Sequence, residues 1–229
     1  MTSQIRGLNQ AVRNANDGVN MMQTAEGAMV EQSNMLQRMR ELAVQSSNGT
    51  YSTDQRGYLN TEFSALITQI DNIASQTTWN GQSLLTGTNT NSITGTSGAF
   101  EFQIGQASGQ TLTVNIGDMS TGSSGLAVSG LSIATASGAS SAITDIDDAL
   151  DKINLQRAAI GAGINQLSYA ADNMTNISAN VTQSRSTIMD TDYALATTQL
   201  AKTQILQQAS TAMLAQANQQ AQGVMTLLK

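Results

Sequence analysis

The chain has 229 residues and a formal net charge of −6, with 10 basic and 16 acidic residues. Nucleic-acid binding requires clustered Lys and Arg, so this thin spread of basic residues argues against it. The sequence has no Cys and no His, which removes disulfides, thiol chemistry, the usual zinc sites and histidine acid–base catalysis. No apolar run reaches the ~18–20 residues that span a bilayer, so we predict no membrane insertion.

The first zone has the apolar spacing of a long helix, which ends before the turn signal Asn48-Gly49. Its seam, interrupted by Glu26 and Ser33, comprises Ile5, Leu8, Val12, Ala15, Val19, Met22, Met29 and Leu36. A second helical pattern starts near Thr53 and Asp54, so we predict a helical hairpin. The methionines of this zone are interpreted as core fillers: Met21, Met22, Met29, Met35 and Met39.

The middle zone is rich in Gly, Ser and Thr, and its charged residues are Glu101 and Asp118. Apolar residues alternate with polar ones on both sides of the turn-rich stretch 105–110, which predicts a β-hairpin. Residues 126–133 are a candidate further strand. An isolated hairpin is marginal, so this one has to lean on helices or on other strands.

The third zone carries a heptad-like seam over about fifty residues, in which Arg157 is the polar member. One helix of this length cannot offset its ordering entropy alone, so it needs the first-zone helices as partners. We therefore predict a mainly α fold: an elongated, antiparallel, coiled-coil-like helical rod with a small hairpin-containing excursion from its tip. The seam comprises Ile143, Ile146, Leu150, Ile153, Arg157, Ile160, Ile164, Leu167, Ala171 and Met174.

The last segment is weakly charged and broadly apolar, which is typical of a surface buried between molecules. Its candidate assembly residues are Leu195, Leu200, Ile205, Leu206, Met213, Leu214, Leu227 and Leu228. The predicted divisions of the chain are 1–85 for the N-terminal rod helices, 86–140 for the variable region, 141–192 for the C-terminal rod helix and 193–229 for the assembly helix.

No catalytic, cofactor or metal site is predicted. The acidic group Asp145, Asp147, Asp148 and Asp151 fits a helix start capped by Thr144 better than a metal site. Asp190 and Asp192 lack the Gly and Glu of a calcium loop and are also interpreted as structural. An enzyme is therefore the least supported class.

Several motifs in order resemble the bacterial flagellins. They are 13–18 (RNANDG), 36–46 (LQRMRELAVQS), 79–82 (WNGQ), 188–194 (IMDTDYA), 205–209 (ILQQA), 214–218 (LAQAN) and 227–229 (LLK). The resemblance implies an extracellular flagellar filament subunit for motility, whose last helix lies in the filament's inner tube. It also implies that roughly fifty family residues precede this start.

The resemblance further implies partners: other flagellin subunits, the flagellar export chaperone and export apparatus, and a Toll-like innate immune receptor. By motif position, Arg38, Leu42 and Glu62 would contact that receptor. Two alternatives stay open at this point. One is a hook–filament junction protein, and the other is a flagellin-like surface adhesin or polysaccharide-binding protein that uses the middle zone.

Overall fold

The computed structural model describes residues 1–88, 98–190 and 192–227, of which 221–227 are described by their backbone only. It divides into two compact units, Met1–Val181 and Thr182–Lys229. The predicted class is confirmed, since long helices dominate and the strands form small antiparallel hairpins. The elements are α1 (Thr2–Ser47), α2 (Thr53–Gln76), β1 (Thr78–Trp79), β2 (Gln82–Ser83), β3 (Ala99–Gln103), β4 (Thr111–Asn115), α3 (Ala136–Met189) and α4 (Tyr193–Leu227).

The predicted helical hairpin is formed by α1 and α2. The cap of α2 lies one residue earlier than expected, at Ser52, which forms a capping box with Gln55. Arg56 ties the two helices together, because its guanidinium donates to the carbonyl oxygens of Ser46 at 2.8 Å and Asn48 at 2.9 Å. Carbonyl groups at a helix end have no intrahelical partner, so Arg56 satisfies groups that would otherwise need water.

α3 lies antiparallel to α1 along most of its length. Arg40 meets Asp147, Glu26 meets Arg157, and Asn9 accepts a hydrogen bond from Ser178 at 2.9 Å. Every seventh residue of the predicted seam is buried, and the members between them are half-buried. The fully or nearly buried set is Ile146, Ile153, Ile160, Leu167 and Met174.

The charged interruptions of the two predicted seams, Glu26 and Arg157, face each other across this interface. Arg157 Nη2 lies 3.7 Å from Glu26 Oε1, and both side chains are about one-third exposed, at 34% and 37%. The opposite charges offset each other at the one position along the interface where both seams are polar. A slip of either helix would place one charge against an apolar neighbour, which is costly.

The start of α3 differs from the prediction. The helix begins at Ala136, so the aspartates 145–151 lie inside it and Thr144 is not its cap. Thr135 has that role, since its Oγ1 accepts a hydrogen bond from the backbone N–H of Gly138 at 3.1 Å. The small residues 136–142 are buried at intervals against the core, which favours helix where composition suggests a linker.

The described parts of the middle zone lie along the helices of the first unit rather than beyond their ends. Its predicted hairpin is β3–β4, with Phe100 paired to Val114. Gly18 of α1 and Gly163 of α3 leave room for it, because the side chains of Phe102 and Val114 occupy the space that a Cβ would need. A second, shorter hairpin, β1–β2, turns at Asn80 and Gly81, whose φ angles of 50° and 78° suit a type I′ turn.

The expected strand at 126–133 is absent from the structure, and the prediction was wrong. Here the backbone N–H of Leu126 donates to the carbonyl oxygen of Ser120, and that of Val128 donates to the carbonyl oxygen of Thr121. The segment therefore forms a local turn with the residues just before it. The apolar side chains that suggested a strand are nevertheless buried, at 1% exposure or less for Leu126, Val128 and Ile133. Burial alone therefore does not distinguish a strand from a packed turn.

The interior of the first unit is one continuous cluster built mainly from Leu, Ile, Met and Ala, with a few Phe and Val side chains. The methionines of α1 fill it as predicted, with Met22, Met29 and Met39 at 0% exposure. In the part of the chain that the structure describes, no helix is both long and apolar enough to cross a membrane.

Candidate functional site: assembly and contact surfaces

α4 begins at a defined cap. The carboxylate of Asp192 accepts hydrogen bonds from the backbone N–H groups of Ala194 at 3.0 Å and Leu195 at 3.3 Å. This is the N-cap geometry that satisfies otherwise unpaired donors. Asp190 likewise accepts a hydrogen bond from the Ser186 hydroxyl. Both aspartates therefore have the structural role that the sequence suggested.

The apolar side chains of α4 are strongly exposed. Those named from the sequence lie between 55% and 72% exposure: Leu195, Leu200, Ile205, Leu206, Met213 and Leu214. The side chain of Leu227 and the whole of Leu228 fall outside the described residues. A run of large apolar side chains left this open marks a surface for association.

These side chains do not form a single stripe. At 3.6 residues per turn, Leu195, Leu206 and Met213 share one side of α4, Leu200 and Leu214 share a second, and Ile205 lies on a third. Lys202 is the one charged residue between 193 and 227. Large apolar side chains lie on three sides of this helix, so α4 requires cover from more than one direction.

The threonine side chains that the structure describes in α4 add no demand for outside polar partners. The hydroxyl of Thr203 donates to the carbonyl oxygens of Gln199 and Leu200, at 3.1 and 2.8 Å. Thr197, Thr198 and Thr211 make the same kind of bond to their own helix. Their hydroxyls can therefore enter an apolar contact without an unsatisfied donor.

A second candidate surface lies where α1 crosses α2. Arg38 holds two carboxylates, with Glu41 at 2.9 Å on its own helix and Glu62 at 3.0 Å on α2. Hydrogen bonding to Glu41 and then to Glu62 raises the pKa of the Arg38 guanidinium. Leu42 does not share this surface, because its side chain is only 1% exposed and packs in the core.

Sequence reasoning missed the neighbouring pair on α1 and α3. Arg40 Nε donates to Asp147 Oδ1 at 2.7 Å, and Nη2 donates to Oδ2 at 3.3 Å. The hydrogen bond from Arg40 holds the pKa of Asp147 below its ordinary value. The two residues lie 107 positions apart in the chain, and no local pattern joins them.

The remaining aspartates of that acidic group line a surface depression of α3 beside Lys152 and Leu126. Lys152 donates to the carbonyl oxygen of Gly125 at 3.0 Å. Among the residues that the structure describes, no cluster of three or more Asp, Glu, His or Cys side chains is arranged to hold a metal ion.

Comparison with known proteins gives these surfaces a context. Residues 1–90 match the family model for the bacterial flagellin N-terminal helical region, and residues 143–228 match that for the C-terminal helical region. The flagellar filament 31.3 kDa core protein of Treponema maltophilum is 43% identical over the whole chain and 82% of that relative. The chain belongs to the bacterial flagellin family.

Other relatives and solved structures agree with this family. The flagellin of Halalkalibacterium halodurans is 40% identical across the whole chain and 81% of that relative. The crystal structure of Bacillus cereus flagellin is similar at a TM-score of 0.60 and 33% identity, covering 74% of this chain and 94% of that one. A putative flagellar hook-associated protein of Vibrio parahaemolyticus shares the fold alone, at a TM-score of 0.64 and 17% identity.

The chain is thus a structural subunit of the flagellar filament, and it works outside the cell in assembly with other flagellin subunits. Its role is motility through the flagellum, and it is not an enzyme. The junction-protein and adhesin alternatives are not favoured, because the curated relatives at about 40% identity are filament proteins.

Proposed function

We propose that α4 is the principal assembly element of this filament subunit and that neighbouring copies cover it on several sides. One observation carries the proposal: six large apolar side chains remain 55–72% exposed on a helix with a single charge. Completing their burial would contribute on the order of 1–2 kcal/mol for each side chain. That gross gain has to exceed the entropy lost on association, so several contacts must form together.

The test is a pair of acidic substitutions on one side of α4, Leu206→Glu with Met213→Glu. Carboxylates cannot enter an apolar contact without a partner, so we expect filaments to disappear from sedimented material. The control is Gln204→Glu with Gln208→Glu, which adds the same charge at exposed polar positions on the opposite side of α4. Filament yields that match the wild type in the Leu206/Met213 variant would contradict the proposal.

We further propose that a flagellar export chaperone holds α4 before the subunit reaches the export apparatus. The support is that an unassembled subunit exposes to water the same apolar side chains that the filament would bury, so they need a binding partner before assembly. Chaperone binding and assembly should then exclude each other. The measurement is binding of the purified chaperone to the Leu206/Met213 variant, which should weaken at least as much as assembly does. Unchanged chaperone affinity would mean that the chaperone binds elsewhere.

We also propose that Arg38 and Glu62 form the centre of a contact with a Toll-like innate immune receptor. Their side chains are 50% and 48% exposed and are held in place by each other, which favours recognition as a preformed pair. Leu42 would contribute indirectly, because its buried side chain fixes α1 in the core and does not touch the receptor.

The receptor proposal is tested with Arg38→Ala and Glu62→Ala together in a reporter-cell assay. Arg40→Ala is the matched control, since the Arg40 side chain is 46% exposed on the same helix. We expect signalling to fall with the Arg38/Glu62 pair and to persist with Arg40→Ala. Equal signalling from both variants would count against this surface.

A further inference from the structure

Methionine is the only sulfur-containing residue of this chain, which has 11 Met and no Cys. The methionines of the first-unit core are shielded from solvent, with Met22, Met29 and Met39 at 0% exposure. Met213 in α4 is instead 72% exposed. A peroxide that reaches the folded chain in solution therefore meets the Met213 thioether, while these core thioethers stay protected.

Met213 lies within the apolar surface of α4. It follows Leu206 by seven residues, so the two residues are about 10.5 Å apart along the same side of the helix at 1.5 Å per residue. Both side chains are exposed, at 72% and 55%. The nearest charged residue in the sequence is Lys202, which is 11 positions before Met213. Met213 thus lies where the proposed assembly contact needs an apolar group.

We propose that Met213 is an oxidation-sensitive site that controls entry of the subunit into the filament, which rests on the assembly role of α4 proposed above. Hydrogen peroxide transfers one oxygen atom to the thioether. The O–O bond breaks, an S=O bond forms, the sulfur loses two electrons, and the peroxide leaves as water. The product is a polar sulfoxide in place of an apolar side chain. Burial of its oxygen in an apolar contact costs free energy, because the hydrogen bonds to water are lost.

The sensitivity depends on the assembly state. In the free subunit the thioether is open to solvent, whereas in the filament the copies that cover α4 exclude water and peroxide from it. An oxidised free subunit is therefore left out of the filament, and a subunit already in place is protected. A methionine sulfoxide reductase reverses the change: two thiols become a disulfide, and the sulfoxide oxygen leaves as water.

The first test needs no variant. Unassembled chains are treated with limiting hydrogen peroxide, freed of it and allowed to assemble, and sulfoxide at each methionine is measured by peptide mass spectrometry in filaments and in leftover chains. Met189 is the internal control, because its side chain is 68% exposed and precedes α4. We expect Met213 sulfoxide to be about tenfold or more scarcer in filaments than in leftover chains. Met189 sulfoxide should be shared equally between the two.

The second test uses leucine, which is apolar, similar in volume to methionine and unable to form a sulfoxide. The readout for each variant is the ratio of filament yield with peroxide treatment to yield without it. We expect this ratio to fall about tenfold or more for the wild type and for Met189→Leu. For Met213→Leu the ratio should stay near one.

The outcomes separate this proposal from the assembly role of α4. Full filament yield from Leu206→Glu with Met213→Glu would contradict both. Loss of filaments in that variant, together with equal Met213 sulfoxide in filaments and leftover chains, would overturn the role of Met213 alone. Oxidation of Met213 in free chains no faster than that of Met22 would also overturn it, because the difference in exposure would then have no chemical effect.

Discussion

Two glycines of α1 provide a matched test of how tightly the hairpin β3–β4 packs on the helices. A Cβ at Gly18 would lie 2.9 Å from Leu167 Cδ1 and 2.9 Å from two ring carbons of Phe102, whereas at Gly27 nothing lies within 4 Å. Alanine raises helix propensity by about 1 kcal/mol at either position. Only at Gly18 does the new methyl group overpack the core, at a cost of about 1–3 kcal/mol.

We therefore expect Gly27→Ala to raise the free energy of unfolding by up to about 1 kcal/mol and Gly18→Ala to lower it by about 0–2 kcal/mol. The propensity gain is common to both, so the difference between the variants isolates the packing cost of about 1–3 kcal/mol.

The assay is thermal unfolding followed by far-ultraviolet circular dichroism. In a unit of this size, 1 kcal/mol corresponds to about 2–4 °C in Tm. We expect Gly18→Ala to melt several degrees below Gly27→Ala. A Gly18→Ala protein that melts as high as Gly27→Ala would refute the close packing of α1, α3 and β3.

Three further outcomes follow from polar contacts. Asp147→Asn should lower Tm more at neutral pH than at pH 3, because Arg40 depresses the folded-state pKa of Asp147. The contribution of the pair is complete above the ordinary carboxyl pKa of about 3.9 and is lost as pH falls through the folded-state pKa. An equal effect at both pH values would contradict this pairing. Arg56→Lys should lower the free energy of unfolding in urea by about 1–2 kcal/mol, because a lysine cannot donate to both carbonyl groups that Arg56 reaches. A urea midpoint equal to that of the wild type would show that these two bonds contribute nothing to stability. Ser52→Ala should cost about 1 kcal/mol through loss of the capping box, whereas Thr53→Ala, one residue later, should change stability little.

The helices were predictable because their signal is local and repeated. The seams of α1 and α3 follow a heptad, and the structure buries Leu36 and Ile153 at 0% exposure as that period requires. The start of α3 was not predictable in the same way. Residues 136–142 are small and contain Gly138, so their helical state depends on packing against the core rather than on propensity.

The candidate surfaces were predictable in kind but not in every residue. The exposed apolar character of α4 could be inferred because the segment offers few charges to face water. The burial of Leu42 could not, because the side of a helix that faces a partner is set by the angle at which distant helices cross. The pairs Arg38–Glu62 and Arg40–Asp147 likewise depend on register between distant segments.

Several helix side chains bind main-chain groups of the middle zone. Gln32 donates to the carbonyl oxygen of Met119, Gln156 to that of Asn115 and Asn14 to that of Gln103, while the Asn60 amide oxygen accepts from the N–H of Ile133. Each of these bonds is made to a main-chain group, so it does not depend on which side chain that residue carries.

Residues 91–142 lie between the two family-model matches. The side chains that make these bonds lie on the helices, and the segment contributes only main-chain groups to them. Exposed positions of this segment can therefore take other side chains without loss of the main-chain hydrogen bonds that attach it to the helices.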